Sequence, residues 1–437
     1  MNVNFLFPKR KLKPMVRFII PSIIFLMLSG QIHASRIFIP MDESQKNHLK
    51  AYGIAYWVLK THDIEVDWLL NYRGGSFMVP QSQRFENECI VRGVSYQVIS
   101  EAEAGQIQTL MAQGDVNMDL VKLQKPPKVA VYSPKSANPW DDAVTMVMKY
   151  AEIPFDVLYD PDVLAEKLPE YDWLHLHHED FTGQMGKFFQ FKDQEWYRKA
   201  LNEDKENAAK FGFSKVSELK LAVAKKIKGF VAGGGYMFAM CTATDTYDIA
   251  LAADGLDIVD RFYDGDGAEQ NVENKLDFDK SFAFQDYKLY QNPYVVEFST
   301  IDTYPNFDNS RPVGERNDFF NLFEFSAKWD PIPSMLTQNH QNTIKGFMGQ
   351  TTSFRKSLIK PEVVILAENK ALGEARYIHG TVEKGFWSFY GGHDPEDYQH
   401  QIGEEPTDLN LYPNSPGYRL ILNNILFPAA KKKKQKT

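Results

Sequence analysis

Ile227-Lys-Gly-Phe-Val-Ala-Gly-Gly-Gly-Tyr-Met-Phe-Ala-Met-Cys-Thr-Ala-Thr-Asp-Thr246 decides the reading of the chain. Helical spacing runs out at Gly233-Gly-Gly235, and Tyr236–Met240 is short and apolar enough for a central strand. Cys241 follows directly, and Thr242 onward has helical character. A strand, one residue and a helix describe a nucleophile elbow, a tight turn that wants small residues two before and two after the nucleophile. Ala239 and Ala243 stand there. A cysteine at a helix N-terminus also meets unsatisfied N–H groups and the positive end of the dipole, and both favour thiolate. The plainer reading is a small buried cysteine packed behind a strand; local pattern leaves both open.

Two further stretches complete a candidate site. Lys384-Gly-Phe-Trp-Ser-Phe-Tyr-Gly-Gly-His-Asp-Pro-Glu-Asp397 reads as a strand that delivers His393, with Asp394 and Glu396 close behind. A cysteine nucleophile needs such a base, and a carboxylate to orient it. Trp173-Leu-His-Leu-His-His-Glu-Asp-Phe-Thr-Gly183 places His175 and His177 on one face of a strand. His178, Glu179 and Asp180 fall in the loop at its C-terminal end, where open α/β sheets carry their active sites. Backbone N–H groups near Thr182 and Gly183, with that of Thr242, are candidates for an oxyanion hole. A weaker alternative makes His175, His177, His178 and Asp180 metal ligands. Asn339-His340 and Gly349-Gln-Thr-Thr-Ser353 either reach over the site or simply cap and turn. Asp264-Gly-Asp-Gly267 lacks the other positions of a calcium loop and reads as a turn.

Around these stretches the chain alternates. Val129–Ser133, Phe155–Tyr159 and Tyr171–His177 read as strands, with a helix opening at Asn138-Pro-Trp-Asp141. Val363–Ala367 and Gly385–Tyr390 add strands, and Tyr418–Leu426 reads as a closing helix. Strands alternating with helices predict an α/β fold with a parallel sheet and right-handed crossovers. Residues 35–125 read as a separate N-terminal α/β extension, with Ser44 as a helix N-cap. It ends near the stiff Gln124-Lys-Pro-Pro127. The main domain spans 126–427, with an irregular insertion over 262–345, and 428–437 form a lysine-rich tail.

The 437 residues are 43% hydrophobic, which excludes a disordered chain. Lys9, Arg10, Lys11, Lys13 and Arg17 precede an apolar run over Phe18–Gly30 that is too short to span a membrane and is broken by Pro21. Residues 1–34 therefore read as a secretory signal cut near Ala34, making the protein periplasmic or secreted with no integral membrane segment after cleavage. Cleavage removes five cations and no acid, moving the net charge from −8 to −13. That balance argues against a nucleic-acid partner. Cys89 and Cys241 sit in unlike contexts and read as two free thiols.

The glycine run before an apolar strand (FVAGGGYMFAM), together with the late Gly-His-Asp strand (FYGGHDPEDY) and final helix (YRLILNNILF), resembles the class I glutamine amidotransferase-like superfamily. Its trehalose-utilisation (ThuA-like) branch is the nearest in look. The resemblance covers residues 128–260 and 361–427 and implies a flavodoxin-like parallel sheet flanked by helices. It maps the nucleophile to Cys241 and its partners to His393 and Glu396, although His393-Asp-Pro-Glu396 is one residue longer than the family's His-x-Glu. The chain is also similar to exported bacterial proteins that carry the label asparagine synthetase B. The motifs of that chemistry are absent: no cysteine opens the processed chain, and Arg73-Gly-Gly-Ser76 has no following Asp-Ser.

The resulting expectation is an exported amidase or hydrolase using Cys241, His393 and Glu396 or Asp394. It would act on a small-molecule, glycan or peptide substrate and require no cofactor. Two alternatives remain: a non-catalytic module that binds carbohydrate or cell-wall fragments, and a metal-dependent hydrolase.

Overall fold

Short apolar runs separated by amphipathic helices can bury both faces of a sheet at once, and the main sheet is built this way. The structure, a computed structural model, describes Met1 and residues 35–134, 142–303, 315–398 and 404–430. Residues 2–34 of the expected signal, the helix opening at Asn138–Asp141, residues 304–314 of the insertion and the lysines from 431 onward lie outside the described residues.

The first sheet joins β1 (Ser35–Ile39), β2 (Val66–Leu70), β3 (Ser76–Pro80), β4 (Gln97–Ser100) and β5 (Asp119–Leu123) in the order β4-β1-β3-β2-β5, every pair antiparallel. The second sheet begins with β6 (Val129–Tyr132), β7 (Asp156–Leu158), β8 (Trp173–Leu176) and β9 (Tyr236–Met240). It continues with β10 (Phe319–Leu322), β11 (Thr343–Lys345), β12 (Phe354–Arg355), β13 (Val364–Asn369), β14 (Glu374–Val382) and β15 (Gly385–Tyr390). Its order is β11-β10-β13-β14-β15-β9-β8-β6-β7, with β12 on β14. The molecule is thus mixed α/β with a large mixed sheet.

The expected parallel pairing holds only over β7-β6-β8-β9-β15. Beyond β15 the sheet continues antiparallel through β14, β13, β10 and β11. The sequence pattern does not reveal β14, because buried polar residues interrupt its alternation. Arg376 pairs with Asp318 through two 2.8 Å bonds, and His379 Nδ1 lies 2.9 Å from the Trp387 carbonyl. Residues 262–345, expected to be irregular, supply β10 and β11 to this edge.

Along β9 side chains alternate between two cores. Met237 and Ala239 join the cluster packed by α3 (Val216–Ala232) and α4 (Thr242–Ala252). Phe238 and Met240 join the cluster packed by α1 (His48–His62), α2 (Ala143–Ala151) and α5 (Pro416–Leu426). The latter cluster also takes in Trp68, Phe77 and Val79 of the first sheet, so the N-terminal extension shares a core with the main sheet. The cap of α1 is Asn47 rather than Ser44, whose N–H and hydroxyl are both drawn to Asp42. Among the described residues no helix is long and apolar enough to cross a membrane.

Candidate active site

Parallel strands end at a common edge, and the register brings Leu176 beside Ala239 and Tyr390 beside Met240. The residues that follow β8, β9 and β15 therefore emerge together: His177-His178-Glu179, Cys241, and Gly391-Gly392-His393.

Cys241 has φ 48° and ψ −136°, a conformation that costs a non-glycine residue energy and is retained where the surroundings over-determine it. Here α4 starts at the next residue, and its first turn is tied back. Thr244 donates to the Cys241 carbonyl through N–H and hydroxyl, while the Ala243 N–H donates to the His177 carbonyl at 3.2 Å. Ala239 and Ala243 are fully buried, as a tight elbow demands. Cys241 and Cys89 are both free and buried.

The segment from Phe347 to Thr352 covers the sulfur. A Cβ added to Gly349 would lie 3.0 Å from Cys241 Sγ and 3.2 Å from His393 Cβ, so the sulfur and the root of the imidazole flank one glycine. Cys241 is only 2% exposed. That burial pushes its thiol up, against N–H groups of Thr351, Gln350 and Thr242, which favour thiolate. The Thr242 hydroxyl donates to Gln350 Oε1 at 2.9 Å, and Gln350 Nε2 donates to the Gly186 carbonyl at 2.8 Å. The cover is anchored from below, where Arg376 donates to the Phe347 and Thr352 carbonyls at 3.2 and 3.3 Å. His393 N–H donates to the Met348 carbonyl at 2.9 Å. Of the two readings left open for Gly349–Ser353, the structure places this stretch over the sulfur.

Around His393 the rings of His177 and His178 have centroids at 4.4 and 6.0 Å. His177 lies edge-on to both neighbours, and His178 stacks parallel to His393. Asp142, the cap of α2, lies 3.2 Å from His175 Nε2 and 3.3 Å from His177 Nδ1. Burial opposes the Asp142 charge, but the two imidazoles outweigh it and hold the carboxyl well below its usual range. His175 itself is fully buried, with Nδ1 at 3.1 Å from the Phe238 carbonyl. Glu179 accepts from the His177 N–H at 2.9 Å, and burial raises its carboxyl to about 7.

The expected carboxylate partners of His393 are engaged elsewhere. Asp394 Oδ1 accepts from the Glu396 N–H at 2.9 Å and from Tyr418 at 2.7 Å, and Oδ2 accepts from Thr407 at 2.7 Å. It secures the turn onto α5. Glu396 is raised by burial, with the Ser415 hydroxyl working against that rise. The residues of the expected oxyanion loop have partners of their own. Gly183 packs against Ser217, and Thr182 is held by Asp180 through N–H and hydroxyl bonds of 2.7 and 2.5 Å. Asp180, a suggested metal ligand, also accepts from the Gly186 N–H at 3.1 Å and so stabilises its own loop. Sequence reasoning missed Asp142; its signal was a carboxylate preceding a helix at the end of the β6 connection.

No family model and no curated protein matches the sequence. Among solved structures the chain is similar to Cytoplasmic Protein STM3548 from Salmonella typhimurium, at 10% identity and TM-score 0.34 over 70% of this chain and 100% of that one. It is similar to Cytoplasmic Protein STM1381 from Salmonella typhimurium LT2, at 13% and 0.32 over 69% and 99%. A third likeness is to Gan42B, a GH42 beta-galactosidase from G. stearothermophilus, at 11% and 0.27 over 62% of this chain and 28% of that one. Likeness at this level leaves function to be argued from the residues themselves.

Proposed function

We propose that the chain is an exported thiol-dependent amidase or hydrolase on a flavodoxin-like, class I glutamine amidotransferase-like scaffold. The strand order of the parallel portion supports the scaffold: numbered along the chain it runs second, first, third, fourth, fifth. One observation carries the activity. Cys241 occupies a strained strand-to-helix bend, and a Cβ on Gly349 would come within 3.0 Å of its sulfur and 3.2 Å of His393 Cβ, so the two residues flank one point.

In this reading His393 takes the thiol proton as Sγ bonds to the substrate's carbonyl carbon. The oxyanion accepts from the N–H groups that now face the sulfur, those of Thr242 and Gln350. His393 returns the proton to the leaving group as its bond to carbon breaks, and water then hydrolyses the thioester. Substrate entry requires the Phe347–Thr352 cover to withdraw. The carbonyl belongs to a small molecule, glycan or peptide outside the cytoplasm.

The test uses p-nitrophenyl acetate, an activated ester that needs no specific pocket. The parent protein is expected to release nitrophenol with a burst and to carry an acetyl group on Cys241 in peptide mass spectra. Equal turnover by Cys241→Ala, with no adduct on the parent, overturns the reading. Burial of the sulfur favours a second reading, a non-catalytic glycan-binding module, under which Cys241→Ala leaves ligand binding intact.

A further inference from the structure

We propose that His177, His178 and His393 bind one first-row divalent transition metal ion, zinc foremost, at the shared edge of β8 and β15. One ring nitrogen from each lies within 4.8 Å of the other two. A tetrahedral ion with Zn–N bonds of about 2.0–2.1 Å holds its ligand nitrogens about 3.4 Å apart, so ring rotations close the set. Three imidazoles suit zinc, cobalt, nickel or copper rather than the oxygen-seeking calcium and magnesium. They leave a fourth position for water or a substrate atom.

A second observation points to a ligand. His177 is 1% exposed, and its Nε2 is buried without a hydrogen-bond partner. Its Nδ1 faces Asp142 Oδ1 at 3.3 Å, at ion-pair distance though outside hydrogen-bond geometry. A carboxylate behind one ring nitrogen, with the other left over, is how metal-binding imidazoles are oriented. Asp142 belongs behind the ion rather than on it, because its Oδ1 already accepts from the Val144 and Thr145 N–H groups and faces His175. His178 is only partly buried and offers the route in from solvent. The ligand set differs from the one the sequence suggests: His393 enters, and His175 and Asp180 leave. Resting on the thiol reading, an ion on His393 excludes proton uptake there, so zinc is expected to suppress ester turnover.

The full chain, purified without a tag and stripped with chelator, is titrated with cobalt and with zinc. One cobalt per chain is expected, with the visible absorption of a four-coordinate site that zinc displaces. His178→Ala and His393→Ala should lose binding at least about 100-fold, Asp142→Asn should weaken it about 10–100-fold, and Cys241→Ala should bind as the parent does. Failure to bind cobalt stoichiometrically, unchanged binding in His178→Ala, or loss of binding in Cys241→Ala overturns the site. Should His393→Ala fail to fold, His178→Ala decides the matter, because its ring is partly exposed. Cobalt absorption needs no turnover, so the site and the thiol reading stand or fall separately.

Discussion

Among the described residues histidines gather in two places, and their surroundings differ. At the seam between the N-terminal extension and the main sheet, His48 and His340 stack with centroids 4.1 Å apart. His48 Nδ1 lies 3.0 Å from Asn414 Oδ1, and Nε2 lies 3.0 Å from the Met41 and Asp42 carbonyls. Arg419, fully buried, donates to the Met41 carbonyl at 2.9 Å, to Tyr52 at 3.1 Å and to the Gly74 carbonyl, and lies 3.3 Å from His340 Nδ1. At the sheet edge, His177, His178 and His393 crowd as closely, yet His177 Nε2 has no hydrogen-bond partner. A buried polar atom left unpaired costs about 1–3 kcal/mol. The comparison teaches that crowded imidazoles alone say little. A set whose polar atoms are satisfied holds the fold together, and a set with an atom to spare has something left to bind.

The largest effect that could break this contrast lies at the seam. Arg419→Ala takes the donor from the Gly74 carbonyl, one of the two groups at the Met41 carbonyl and a partner of Tyr52, and opens a cavity. It is expected to lower unfolding free energy by about 3–5 kcal/mol in urea. A loss under about 1 kcal/mol would mean the seam is not structural.

Acid sharpens the contrast next. Burial, reinforced by the Arg419 charge, lowers His48 from 6.5 to about 4. Burial, with His48 and Arg419 adding to it, lowers His340 to about 3. As pH falls from 6.5 toward 4 the unfolded chain takes up protons that the folded seam refuses, so these groups withdraw stability. Glu179 and Asp245, raised by burial to about 7, act in the opposite sense, because the folded chain binds their protons first. Subtracting the pH profile of the His48→Gln/His340→Gln variant removes that background. The parent is expected to lose up to about 1.4 kcal/mol per pH unit per seam histidine relative to the variant below pH 6.5. Parallel profiles would contradict the seam's electrostatics.

The smallest effect compares single rings. His48→Ala should cost at least about 1 kcal/mol more than His177→Ala in thermal or urea unfolding, since only the former ring has hydrogen-bond partners to give up. The reverse order would mean that the edge cluster is the structural one.

The elbow was legible because its requirements are local. A tight bend excludes side chains near it, and Ala239, Cys241 and Ala243 announce that in five residues. The late strand ending in Gly-Gly-His was legible for the same reason. The carboxylates beside His393 misled because adjacency in sequence says nothing about direction: Asp394 faces Tyr418 and Thr407. The antiparallel half of the sheet was hidden by buried charge, since Arg376 is tolerated in β14 only with Asp318 opposite it. The two residues lie 58 apart in the chain.

Composition and periodicity by themselves determined an acidic α/β chain with a cysteine between a strand and a helix. Those properties depend on neighbours a few residues apart, and local sterics and hydrophobic period record them. Only the tertiary structure decided that Gly349 covers the sulfur, that His393 meets His177 and His178, and that Asp142 stands behind them. Such contacts join segments far apart in the chain, and they exist only once the parallel strands have aligned their C-terminal ends at one edge.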